Sequence, residues 1–169
     1  MEQVQTIQVE KGDTAVKLQR GQDGFVVASK GGYPASTSGI NSLIVSSLDA
    51  RIDRKVTDSP ANHAELGIEE GNGPAVSVTF KNAEDKSIVG YVKGKSAEQG
   101  GTYVRLQGED AVYVTTSSLQ VKADVSDYLD KKIVDLDKEN IAAVTVSGPE
   151  YEYSIARNED GEAELQQVP

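Results

Sequence analysis

The sequence predicts an α+β fold, with antiparallel strand meanders and two main helices packed on sheet faces. Three observations carry this: short segments that alternate apolar and polar side chains, glycine-bearing turns between them, and two stretches with apolar residues at helical spacing. The first strands are "TIQVE", "AVKLQR" and "FVVAS". Ile7 with Val9, and Val16 with Leu18, fall on one face of each strand, while Gly12, Gly21 and Gly24 permit the turn dihedrals. After "GGYPASTS" the segment "GINSLIVSSLDARID" places Ile40, Leu43, Ile44, Leu48 and Ile52 on one helical stripe, with Ser36 or Ser38 available as N-cap. A short helical connector is expected at "SPANHAELG", where Ser59 can cap, Pro60 suits the first helical position and Gly67 suits the stop.

A central meander follows in "AVSVTFK", "SIVGYVK", "TYVRLQ" and "AVYVTT". The second main helix is expected in "ADVSDYLDKKIVDL", because Val125, Tyr128, Leu129, Ile133 and Leu136 recur at the 3.6-residue period and Asp124 can cap. "IAAVTVS", "YEYSIAR" and "GEAELQQ" then return to strand. Setting Ile7–Val27 against Val144–Glu164 matches Val9 with Val146, Arg20 with Arg157, Asp23 with Asp160 and Gly24 with Gly161. Two explanations fit: Asp-Gly turns make hairpins look alike, or a meander-plus-helix unit is duplicated. The expected organisation is a single α+β domain over residues 1–169, in which two similar subunits, about 1–60 and 120–169, flank the central meander at 75–116. Under the duplication reading the second copy reaches the start of its helix at "QQVP", as in a fragment of a longer anchored protein.

Composition removes several function classes. The formal net charge of −10 repels nucleic-acid phosphate and anionic lipid, so no nucleic-acid partner is expected. There is no cysteine for disulfides or thiolate chemistry. No apolar run approaches the roughly 20 residues that span a bilayer, so the chain as given reads as soluble.

No motif nominates a catalytic group, a cofactor or a metal. "GYVKGKS" has three residues between its first Gly and the Gly-Lys pair where a phosphate-binding loop needs four. His63 is the only histidine, and no G-x-S-x-G nucleophile turn is present. Asp124, Asp127 and Asp130 form a helical stripe, and Asp135, Asp137 and Glu139 a second acidic cluster; neither has the alternating ligands and turn glycine of a calcium loop. The remaining candidate is the hairpin "GGTYVRLQGEDAVYV". Its period of two sets Tyr103 and Arg105 on one face and Val104 and Leu106 on the other, and the valine–leucine face is expected to pack. Arg105 would then lie near the rings of Tyr103 and Tyr113, either as a cross-strand stabilising cluster or as a binding surface.

The ordered segments "GFVVASKGGYPASTSGINSLIVSSLDARIDRKVTDSPANHAELGI", "VGYVKGK", "TYVRLQGEDAVYV" and "YLDKKIVDLDKENIAAVTV" resemble a bacterial family, the domain of unknown function 4340 family. The chain departs from the usual pattern at His63, where tyrosine is common, and at Lys86, in place of a hairpin glycine. The resemblance implies an extracytoplasmic domain, periplasmic or at the cell surface, on an N-terminal membrane anchor absent from this chain, beside a gliding-type ABC transport system. The expected function is therefore a non-enzymatic accessory or interaction domain whose partners are protein components of a membrane transport assembly. A small-ligand or glycan-binding module is the second expectation, and a carboxylate-based hydrolase the third.

Overall fold

In the computed structural model, which describes residues 3–158 and 160–166, the chain forms two compact units, Met1–Lys131 and Lys132–Pro169. The first contains a nine-stranded sheet. Strands β1 (Thr6–Lys11), β2 (Thr14–Arg20) and β3 (Phe25–Val27) form the expected first meander, extended by the two-residue β4 (Tyr33–Pro34). Its other edge continues through β6 (Val76–Lys81), β7 (Ser87–Ser96), β8 (Thr102–Leu106) and β9 (Val112–Thr115) to β5 (Ile52–Thr57). All described pairings are antiparallel. The first and central meanders are thus one sheet, joined by β1 against β6.

Helix α1 (Thr37–Asp49) begins where the Ser36 side chain accepts a hydrogen bond from the Gly39 amide at 3.2 Å. The exchange satisfies an amide that the first turn leaves open. Ile40 and Leu43 bury its stripe against Ile7, Val9, Val16, Leu18, Val27, Val76, Val78 and Phe80. Gly39 is required by proximity, since a Cβ there would stand 2.5 Å from the Asp127 carbonyl oxygen. Leu48 and Ile52 depart from the expected stripe. Leu48 is exposed, and Ile52 opens β5, a strand that the helical reading of "LDARID" absorbed.

The short α2 (His63–Leu66) follows a 3-10 turn at Pro60–Asn62 and ends at Gly67 with φ of 67°. A left-handed cap of this kind favours glycine. Around it lies a second core of Ile68, Ala75, Val92 and Val112. The Ser59 side chain makes no cap; Thr57 Oγ1 instead accepts from the Ser59 amide at 3.1 Å.

The helix expected over residues 124–137 does not form. Asp124 caps only a 3-10 turn, Val125–Asp127. Tyr128 then turns into the first core and is 1% exposed, with its hydroxyl donating to the Lys122 carbonyl at 2.7 Å. The Tyr128 carbonyl accepts from the Ser36 amide, the Asp130 amide donates to the Pro34 carbonyl, and Leu129 bridges Ala35. Those backbone groups are the ones a continuing helix would need, so tertiary pairing overrides the apolar period. Ile133 and Leu136 are left exposed.

The second unit holds a three-stranded antiparallel meander, β10 (Ala143–Gly148), β11 (Tyr151–Arg157) and β12 (Ala163–Gln166). Its register repeats that of the first meander. Thr6 pairs Gln19, Ile7 pairs Leu18 and Val9 pairs Val16; at a constant offset Ala143 pairs Ala156, Val144 pairs Ile155 and Val146 pairs Tyr153. The third strand slips by one residue, since Leu18 faces Val27 whereas Ile155 faces Leu165.

Candidate functional site

The hairpin singled out from sequence forms β8 and β9, but its register separates the three candidate residues. Tyr103 pairs Val114, Val104 pairs Tyr113 and Arg105 pairs Val112. Directly opposed residues share a face, so Tyr103 and Arg105 lie on one side of the sheet and Tyr113 on the other. The packing is also the reverse of the expectation. Arg105 is 9% exposed, while Leu106, assigned to the packed face, is 44% exposed.

Arg105 is a buried anchor for the chain around α2. One guanidinium nitrogen donates to Glu70 Oε1 at 2.8 Å and toward the Ile68 carbonyl at 3.4 Å; the other donates to the Glu109 carbonyl at 2.9 Å. Its Nε has no hydrogen-bond partner. The guanidinium therefore fastens the Ile68–Glu70 segment to the β8–β9 turn. No cation-π contact involves Arg105 among the described residues; the one present sets Arg20 4.9 Å from the Phe25 ring centre. Tyr103, half-buried, packs against the second core.

His63 has a similar tying role. Its Nε2 lies 3.0 Å from the Asp110 carbonyl, which can only accept, so that nitrogen carries the proton. The glycines of "GYVKGKS" belong to strand β7. A Cβ on Gly94 would stand 2.5 Å from Ile68 Cγ2 and 2.6 Å from the Leu66 carbonyl oxygen, so this glycine admits the α2 connection, not a phosphate. Within the acidic clusters Asp124 accepts from the Ser126 amide and Asp137 from the Glu139 amide, and Asp127 meets Lys122 at 3.2 Å. The hydrogen bonds from Ser126 hold the Asp124 carboxyl below its ordinary range. Among the described residues no group of three or more His, Asp or Glu is placed to hold a metal ion.

A mostly apolar concavity lies on the Tyr113 side of the sheet. It is a groove of about 300 Å³ beyond the C-terminal end of α1. Its walls include Ile52 from β5, Val89 and Tyr91 from β7, Val104 and Leu106 from β8 and Tyr113 from β9, with Ser47 of α1 and its C-cap Ala50. The alternating strands dictate this apolar lining, because the cross-strand partners Tyr91 and Leu106, and Val104 and Tyr113, project together. Ile52, Val89 and Leu106 are exposed. At the rim the Tyr91 hydroxyl meets Ser47 Oγ at 2.7 Å, and burial raises the Tyr91 phenol to about 12. Glu109 and Arg105 border the groove, but the Arg105 side chain belongs to the opposite face, so of the three sequence candidates Tyr113 projects into it and Tyr103 does not reach it.

Sequence reasoning missed Val89, Leu106 and Ile52 as site residues because strand alternation assigns apolar side chains to the core. A usable signal was present: β7 offers apolar residues on both faces at Ile88, Val89, Tyr91 and Val92, more than one packed layer absorbs.

No helix among the described residues is long and apolar enough to cross a membrane. No curated protein and no solved structure matches the chain. Residues 26–169, most of the chain, match the domain of unknown function 4340 family (DUF4340), and the chain belongs to that family.

Proposed function

We propose that this chain is a non-enzymatic interaction domain that works outside the cytoplasm, tethered to a membrane, and docks on a protein component of an ABC-type transport assembly. The observation that carries the reading is the apolar groove at the end of α1, with Ile52, Val89 and Leu106 exposed around it. Isolated exposed apolar residues are ordinary, but several gathered around one concavity mark a contact surface. The extracytoplasmic setting and the transport partner rest on the family resemblance.

Tyr113 in the groove wall favours a second reading, a small-ligand module, since about 300 Å³ lies at the lower end of ligand-site volumes. Affinity capture of the membrane-anchored protein separates the two. A transporter subunit recovered with the native chain and lost with Leu106→Glu or Val89→Glu supports docking. Unchanged recovery of that subunit with both variants contradicts it.

A further inference from the structure

We propose that the C-terminal meander repeats the plan of the N-terminal one, and that its exposed apolar face is a docking site for a basic amphipathic helix of a partner protein. The surface belongs to the second unit and shares no residue with the groove beside α1.

Three geometric correspondences hold at one offset. The β1–β2 and β10–β11 ladders pair residue for residue in the same register. Each second strand ends in an arginine whose Nε donates to a carbonyl just before the first strand: Arg20 to Val4 and Arg157 to Ile141, both at 3.1 Å. The arginine amides also correspond, donating to Gln5 and Ala142. The acceptors Val4 and Ile141 belong to the chain before the first strand, outside the Asp-Gly turn that joins the second and third strands.

What differs is the cover. In the first meander Ile7, Val9, Val16, Leu18 and Val27 are fully buried under Ile40 and Leu43 of α1. At the matching places in the second, Val144 is 48% and Ile155 38% exposed, and Tyr153 and Leu165 are exposed as well. The opposite face carries Thr145, Glu152, Ser154 and Glu164. The sheet is thus amphipathic with its apolar side open. A sheet that is apolar on one face is stabilised by packing that face on another element.

The first meander shows which element fits: a helix with apolar residues at i, i+3 and i+4, the spacing of Ile40, Leu43 and Ile44. Charge adds the second requirement. Residues 132–169 carry nine acidic against three basic side chains, so a helix with lysine or arginine along its margins is favoured.

The test uses the full chain and a synthetic peptide of residues 36–51 whose Ser38, Ser42 and Ser46 are replaced by lysine. Titration followed by NMR is expected to shift Val144, Tyr153, Ile155 and Leu165 saturably. Ile155→Glu and the more exposed Leu165→Glu should each weaken binding by at least about tenfold, the scale of losing one well-packed contact. Leu106→Glu, in the groove of the first unit, should leave binding unchanged, so failure of one surface is distinguishable from failure of the other. Shifts confined to other residues, binding indifferent to both glutamate variants, or a chain that self-associates through this face would overturn the proposal.

Discussion

The first two strands of each meander share a register and an arginine clamp, yet one pair is the centre of a core and the other has its apolar face exposed. Leu18 is fully buried and its counterpart Ile155 is 38% exposed. Strand pairing is therefore set by local alternation and turn chemistry, which both segments possess, whereas burial depends on what the rest of the chain lays over them. In the first unit α1 and Tyr128 supply that cover, and β6 takes up the edge of β1.

The largest expected effect breaks the comparison at its most unequal pair. Leu18→Ala should destabilise the first unit by about 2–5 kcal/mol, the range for a buried leucine that leaves a cavity, whereas Ile155→Ala should cost under about 1 kcal/mol, as for partly exposed positions. Urea denaturation monitored separately in each unit reads both values, and equal losses would contradict the difference in cover.

A second prediction concerns Arg105. Replacing it with Met removes charged hydrogen bonds to Glu70 and to the Glu109 carbonyl, and should cost about 2 kcal/mol, of the order measured for buried polar groups left unpaired. Glu70→Gln should cost less, since Glu70 is half exposed. Denaturation midpoints check both; a larger loss for Glu70→Gln would contradict the anchor role.

The third effect is pH-dependent and belongs to the first unit. Burial raises the Tyr91 phenol from 10.0 to about 12 in the folded chain, so the folded state holds its proton longer than the unfolded state does. That contribution is fully present below pH 10 and is lost as pH rises toward 12, amounting to about 2 kcal/mol by pH 12. Tyr91→Phe should flatten that part of the stability curve. An unchanged slope would contradict it.

The smallest expected difference lies between the clamps. Arg157 donates to Ile141, Gly161 and Lys138 carbonyls, whereas Arg20 donates to Val4 and faces the Phe25 ring. Arg157→Met should therefore weaken the second meander by about 1 kcal/mol and Arg20→Met the first by somewhat less, as for exposed hydrogen-bonded groups. Thermal melts of the two variants check the ranking.

Much of this fold is legible in the sequence because strand alternation and glycine turns are local signals. All ten strand segments named from sequence correspond to strands. The failures are tertiary. At 124–137 the apolar period is helical, but Ser36 and Pro34 take the backbone groups of Tyr128 and Asp130. In "TYVRLQ" the alternation is right and the side facing inward is wrong, because Ile68 and Glu70 arrive over Arg105 from a distant loop. A period specifies which residues share a face; it does not say which face will be covered. The groove is only half legible for the same reason: β7 shows apolar residues on both faces, but Val89 and Leu106 look like core residues until α1 is seen to end short of them.

Native-state hydrogen exchange tests the central claim, that two hairpins paired in one register are covered in the first unit and exposed in the second. Amides of Ile7, Val9 and Leu18 should exchange only by global unfolding of the first unit, and those of Val144, Val146 and Ile155 by local opening at much lower free energy. Equal protection of the two ladders in the chain alone would contradict the account.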